Sequence, residues 1–252
     1  MLLNFKQTGA GPVVVIMHGL FGSLENLNVI AKALSEHYTV INIDLRNHGV
    51  SFHEDEVSYP AMARDVLNLL DELNIENAHI IGHSMGGKVA MQLAMLDEAR
   101  VNKLVVLDIA PVDYHPRHNS IINALQSVQK QGVSSRSEAD AIMKEFIDEM
   151  GVRQFLLKSL SKFENGYAWK FNLNTIVENY SKIISNINET HSCQCDTLFI
   201  KGNNSDYILP EHREAIVSLF PKSKAKVIHG AGHWLHAEKP QAVNRSIIDF
   251  LQ

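Results

Sequence analysis

Apolar residues follow two rhythms along the chain, and the switching between them predicts the fold. The unbroken apolar run Val13–Met17 and the mostly apolar runs at Thr39–Ile43, residues 78–82, residues 103–107 and Thr197–Gly202 read as strands covered on both faces. Residues 2–6 and 225–229 read as further strands, with the turn of residues 8–12 separating the first from its neighbour. Between the runs the spacing becomes helical. Leu27, Ile30, Ala31 and Leu34 share one face, as do Met62, Val66, Leu69, Leu70 and Leu73 behind Pro60, whose missing N–H costs nothing in a first turn. Helices are also expected over residues 88–96, residues 211–219 and Pro240–Leu251. Repeated strand-helix units imply an α/β fold with a mostly parallel sheet and helices on both faces.

The alternation stops between residues 113 and 190. Four successive helical patterns replace it, carried by Ile121, Ile122, Leu125 and Val128; by Ile142, Met143, Phe146, Ile147 and Met150; by Phe155, Leu156 and Leu160; and by a run from Leu173 to Ile187. Ser137 with Asp140 three residues on resembles a capping box, and Gly151 is placed to end that helix. Each apolar face must be buried against something. The expected organisation is therefore a core of residues 1–112 and 191–252 with a helical lid, residues 113–190, inserted into it.

Composition narrows the field without choosing a function. At 252 residues the length suits one large domain with an insert, and a net charge of -5 offers no basic field for nucleic acid or an anionic membrane. A small-molecule partner is the expectation, and oligomeric state is not legible. The N-terminus lacks a basic region followed by an apolar core, and no apolar run approaches the ~20 residues needed to cross a bilayer, so a cytoplasmic protein is expected. Cys193 and Cys195, spaced C-x-C, are a poor zinc signature and read as reduced structural thiols. Thirteen histidines contain no H-E-x-x-H or comparable grouping, so no metal is expected.

The chemistry concentrates where the apolar run Ile80-Ile81 enters Gly82-His83-Ser84-Met85-Gly86 and a helix follows at once. That is the pattern of a nucleophile elbow. A serine on so tight a turn needs small neighbours, here Gly82 and Gly86, and its hydroxyl stands exposed beside the positive end of the next helix. Serine is a weak nucleophile at neutral pH and needs an adjacent base. His233, on the Gly-rich loop after the last strand, is the best candidate. His83 is expected to pack or hydrogen-bond, His236 likewise, and His115 and His118 to lie where the lid begins. The N–H groups of Met85 and Leu20 are the candidate oxyanion donors, Leu20 because its loop, His18 to Ser23, leaves the carboxyl end of a central strand. The charged stretch from Asp44 to Ser51 is expected to hold a loop together. Ser84, Asp108, Asp206 and His233 all follow predicted strands, which places them at the sheet edge where sites in such folds lie.

These motifs resemble those of the α/β-hydrolases, and the resemblance covers almost the whole chain. Within that family, His18 to Ser23, Arg46-Asn47-His48-Gly49, Gly82 to Lys88, Asp108 to Tyr114 and residues 233–240 are similar to the bacterial esterase group called YbfF; Asn47 stands where most hydrolases carry Gly. The resemblance implies cofactor-free hydrolysis of carboxylic esters or acyl thioesters by a serine, histidine and aspartate triad. Two aspartates compete for the acid. Asp206 sits in the loop where this fold most often carries it, yet Gly202 plus three is Ser205, with the aspartate one position late. The YbfF resemblance favours Asp108. Ser84 at the elbow argues against dehalogenase and epoxide hydrolase activities, which place aspartate there. A carbon-carbon bond hydrolase with the same triad, or a ligand receptor on this scaffold, are the alternative readings.

Overall fold

The computed structural model describes residues 1–164, 166–188 and 191–252. The chain starts with β1 (Phe5–Thr8), β2 (Val13–Met17), α1 (Asn28–Leu34), β3 (Thr39–Ile43), α2 (Tyr59–Glu72), β4 (Ala78–His83), α3 (Met85–Leu96) and β5 (Val101–Leu107). It then leaves the sheet for α4 (Asn119–Gln131), α5 (Arg136–Met143), α6 (Met150–Leu157), β6 (Leu160–Phe163), β7 (Gly166–Trp169), α7 (Leu173–Glu178) and α8 (Tyr180–Ile184). It returns as β8 (Thr197–Gly202), α9 (Arg213–Leu219), β9 (Ser223–Ile228), α10 (Leu235–Glu238) and α11 (Pro240–Leu251).

Seven strands form one sheet in the order β1-β3-β2-β4-β5-β8-β9, with only the β1–β3 pair antiparallel. The apolar runs are the central strands because both of their faces are covered. One face packs on α2 and α3 through residues such as Val66, Leu69, Val89 and Leu93, and the other on α1 and α11 through Ile30, Leu34, Val243 and Ile247. Register sets the site. Met17 lies opposite Gly82, His83 opposite Leu107, and Leu107 opposite Ile200, so the chain leaves β2, β4, β5 and β8 along one edge.

Several expectations shift. The first strand starts at Phe5 instead of residue 2, because Asn4 is occupied elsewhere: its N–H donates to Ser51 Oγ (2.8 Å) and its amide to Asp44 Oδ2 (2.7 Å). The insert is not all helix. Leu160, expected on a helix, opens the β6–β7 hairpin, whose Trp169 donates its indole N–H to the Leu125 carbonyl (3.1 Å). The dipeptide Asn165-Gly166 is a hairpin signal in the sequence, although Asn165 lies outside the described residues. The cap of α5 is Ser135, which accepts from the Glu138 N–H (3.2 Å), and not Ser137 with Asp140. Gly151 falls inside the first turn of α6 rather than ending a helix. The run from Leu173 to Ile187 is broken between α7 and α8 at Asn179, whose amide bonds back to the Thr175 carbonyl (3.0 Å) and across to Asp55 (3.3 Å). The expected lid boundary at Thr190 lies outside the described residues. Among the described residues no helix is long and apolar enough to cross a membrane.

The stretch after β3 is a knot of polar contacts, as its composition suggested. Arg46 and Asp65 form a two-pronged pair (2.6 and 2.8 Å) with both side chains about nine-tenths buried, and Arg46 also donates to the Glu56 carbonyl (2.8 Å). Removing one partner leaves the other charge buried and unpaired. Asp65→Ala is therefore expected to lower the unfolding free energy by about 3–5 kcal/mol. Asp71→Ala, which breaks the more exposed pair with Arg100, is expected to cost about 1 kcal/mol or less. Urea denaturation of the two variants checks the ordering; equal losses would contradict it.

Candidate active site

Ser84 adopts φ 52° and ψ -119°, a conformation that costs a non-glycine residue about 1–3 kcal/mol. The turn around it is forced. A Cβ on Gly82 would stand 2.1 Å from the Gly86 carbonyl oxygen, and one on Gly86 would stand 2.4 Å from that of Met17, so neither position accepts a side chain. The Ser84 N–H donates to the Leu107 carbonyl (2.9 Å), which ties the elbow to β5.

Three side chains converge at this edge. His233 Nε2 lies 3.0 Å from Ser84 Oγ and its Nδ1 lies 2.8 Å from Asp108 Oδ2. Asp108, fully buried at the end of β5, also accepts from the Gly202 N–H (2.9 Å) at Oδ1 and from the Ser205 hydroxyl at Oδ2. Asp206 goes elsewhere: its Oδ1 pairs with Arg117 Nη1 (2.9 Å), and its side chain is 72% exposed. Ser205 was missed as a site residue, though the sequence held a signal. It fills the position three after Gly202, and its hydroxyl reaches the carboxylate that arrives from the neighbouring strand.

The His233 loop is braced from two directions. His83 donates Nε2–H to the His233 carbonyl (2.9 Å), and the Gly232 N–H donates to Glu238 Oε2 (2.8 Å). His236 is buried with its ring 4.5 Å from that of His83, His115 is exposed, and His118 borders the site. The Leu20 loop is braced by two histidines that the sequence did not single out for this purpose. His18 Nε2 accepts from the Leu45 N–H (3.1 Å) and His48 Nε2 from the Phe21 N–H (3.2 Å). Burial lowers the pKa of both rings, that of His48 to about 3, which keeps these nitrogens unprotonated and able to accept. Asn47 has φ 63° and satisfies the Glu54 backbone at both ends of its amide (2.8 and 3.0 Å), so an asparagine serves where a left-handed residue is required.

Among the described residues the N–H groups of Leu20 and Met85 have no hydrogen-bond acceptor. Both residues and Ser84 line one small cavity of about 30 Å³. Leu20 and Ser84 also border a larger cavity of about 470 Å³, walled on the insert side by Ile121, Val152 and Phe155 and on the core side by His233 and Trp234. An ester carbonyl beside Ser84 would meet two free donors, an open hydroxyl and a base.

Electrostatics favour a neutral imidazole. Burial lowers the His233 pKa to about 3, the Arg117 guanidinium adds to the effect, and Asp206 opposes it. Burial raises Asp108 to about 6, against the pull of its bonds from Ser205 and Gly202. The two groups share one hydrogen bond and titrate as a pair. Since the imidazole value falls below its usual 6.5, His233 remains uncharged throughout the neutral range and takes a proton only on acidification. Nitrogen NMR at pH 7 is expected to find the neutral ring with its proton on Nδ1; an imidazolium at that pH would contradict this electrostatic picture.

The chain belongs to the α/β-hydrolase family: the family model described as alpha/beta hydrolase fold matches residues 12–240. It is 45% identical to Esterase YbfF of Escherichia coli (strain K12), over 94% of this chain and 92% of that protein. It is 37% identical to the sn-1-specific diacylglycerol lipase ABHD11 of Mus musculus, over 95% and 81% respectively. Among solved structures, one titled "Marine microorganism esterase" superposes with a TM-score of 0.96 at 39% identity, covering 99% of both chains.

Proposed function

We propose that the protein is a serine hydrolase that cleaves carboxylic esters or acyl thioesters of the acyl-CoA kind through an acyl-enzyme on Ser84. The observation that carries this reading is the unbroken line of hydrogen bonds from Ser84 Oγ through both nitrogens of His233 to the buried Asp108. Relatives named as an esterase and as a diacylglycerol lipase support ester cleavage.

Each residue has one task. His233 Nε2 takes the hydroxyl proton as Ser84 Oγ attacks the acyl carbon, and Asp108 stabilises the imidazolium and holds Nδ1–H in place. The oxyanion forms against the Leu20 N–H on the loop after β2 and the Met85 N–H at the start of α3, where the helix dipole adds to the field. As the tetrahedral adduct collapses, His233 hands its proton to the departing alkoxide or thiolate. Water then releases the acyl group by the same steps in reverse. All of these groups belong to this chain, so the reaction as drawn calls on no cofactor. The insert walls the larger cavity and is the part of the molecule proposed to select the substrate.

Ser84→Ala is expected to lower turnover of p-nitrophenyl butyrate by about 10⁴-fold or more while the protein stays folded. Near-normal turnover would overturn the serine mechanism. Running the same assay with an acyl-CoA beside the ester decides between the two substrate classes. Asp108→Asn is expected to cost roughly 10⁴-fold in kcat by stabilising the wrong imidazole tautomer. Asp206→Asn should lose no more than about 10-fold on the scale of a remote positional change; the reverse ranking would return the acid to Asp206. With pH, kcat/KM is expected to be level from about 7 upward, to fall as Asp108, raised to about 6, takes up a proton, and to fall further as His233 approaches its lowered value of about 3. A profile with no acid limb down to about pH 4 would contradict the raised Asp108 value and the dependence of the base on its ionised partner.

A further inference from the structure

The ring of Tyr207 lies against the His233 imidazole, with centroids 3.7 Å apart and planes 16° apart. On the same tyrosine the Arg117 guanidinium carbon sits 4.4 Å from the ring centroid. Tyr207 therefore contacts both the imidazole and the guanidinium. Hydrogen bonds hold the stack in place. The Tyr207 hydroxyl is 3.0 Å from His118 Nε2, its N–H donates to Ser205 Oγ (3.2 Å), and its carbonyl accepts from the Tyr114 hydroxyl (2.5 Å). His118 is itself fixed, with Nδ1 2.7 Å from the Tyr180 hydroxyl, and Arg117 is fixed by Asp206.

We propose that Tyr207 is the positioning residue for the base: its ring fixes the plane of the His233 imidazole, and Arg117, His118 and Asp206 fix Tyr207. The inference rests on His233 acting as the base of the proposed hydrolase. An imidazole hydrogen-bonded at Nδ1 and Nε2 is held at two points and still rocks about the line that joins them. Only a contact on its face stops that motion. Rocking swings the N–H and lone-pair directions and bends both bonds, and misalignment of this kind costs up to about 10²-fold in rate. Aromatic stacking supplies the restraint without a hydrogen bond that would compete for either nitrogen. The arrangement also gives Asp206 a task that does not require it to touch His233.

Charge near the ring is distributed in keeping with this role. Asp108 faces His233 from the end of β5, His83 from the end of β4, Arg117 and His118 from the insert, Asp206 from the loop after β8, and His236 from the helix that follows. Arg117 is the cation among them. It discourages protonation of the imidazole while holding the tyrosine that keeps the imidazole flat.

The test is a comparison of Tyr207→Phe, Tyr207→Leu and Tyr207→Ala using p-nitrophenyl butyrate and a serine-directed phosphonate. Phe keeps the flat ring and is expected to stay within about 5-fold of the parent, whereas Leu and Ala are expected to lose about 30- to 100-fold in kcat with KM within about 3-fold. Leu fills the space without a flat face, so it carries the test if Ala does not fold. Phosphonate labelling of Ser84 should slow in the same order, and the downfield proton resonance of the His233–Asp108 hydrogen bond should broaden in Leu and Ala but not in Phe. Equal losses in all three variants, or a loss confined to KM, would overturn the proposal. If the parent protein takes no phosphonate at Ser84, the serine-hydrolase reading itself fails. If the parent labels and Tyr207→Leu labels equally fast, only the positioning role is lost.

Discussion

A carboxylate with no exposure to solvent is the constraint that the rest of the site answers. Asp108 is fully buried at the end of β5, and an unpartnered charge there would cost several kcal/mol. Its neighbours come from separate parts of the chain: the Gly202 N–H from the end of β8, the Ser205 hydroxyl from the loop beyond, and His233 from the loop after β9. Meeting the demands of one oxygen pair therefore fixes the relative placement of two strands and two loops. The same placement puts His233 Nε2 at the serine. A geometry that satisfies a buried anion is also one that aims the proposed base at Ser84.

The opposite wall of the site is held without charge. His18 and His48 accept backbone N–H groups from Leu45 and Phe21 and pack with tilted rings, centroids 5.1 Å apart, so the loop bearing Leu20 leans on neutral imidazoles. Burial keeps both rings deprotonated. A cation at either place would add a field beside the proposed oxyanion donors that the pH of the medium could switch. The neutral form leaves the backbone amides of Leu20 and Met85 as the local donors.

What the sequence made legible was whatever depends on local pattern. The double-sided strands, the elbow glycines and the loop carrying His233 follow from apolar runs and from the steric limits of one turn. The insert was read less well. The β6–β7 strands are four residues each, too short for alternation to stand out from the flanking helical spacing, and Trp169 makes sense only once Leu125 is known to lie across from it. The break at Asn179 was hidden because the apolar positions continue across it in helical register while the side chain withdraws to bond Thr175 and Asp55. Tyr207 and Arg117 were invisible for a different reason. Each sits next to a residue that drew attention, and a stack between residues 90 positions apart leaves no periodic trace.

The insert and the elbow are joined by a group that looks misplaced. Lys88 lies in the first turns of α3, where the helix dipole disfavours a cation, and only 1% of it is exposed. Burial lowers its pKa to about 7, with Asp113 opposing. What keeps the ammonium there is a set of acceptors gathered where the insert meets the core: the Val112 carbonyl (2.8 Å) where the chain leaves the sheet, the Ser185 carbonyl where it returns, and the faces of Tyr114 on the insert and Tyr59 on α2. Gln92, one turn further along α3, exchanges hydrogen bonds with the Asn188 backbone (2.7 and 3.3 Å). Both ends of the insert are thus clamped to the helix whose N-terminus carries Met85. Because one helix carries the proposed oxyanion donor and also anchors the insert, the wall of the larger cavity is referenced to Ser84 and Met85 rather than to the distant core.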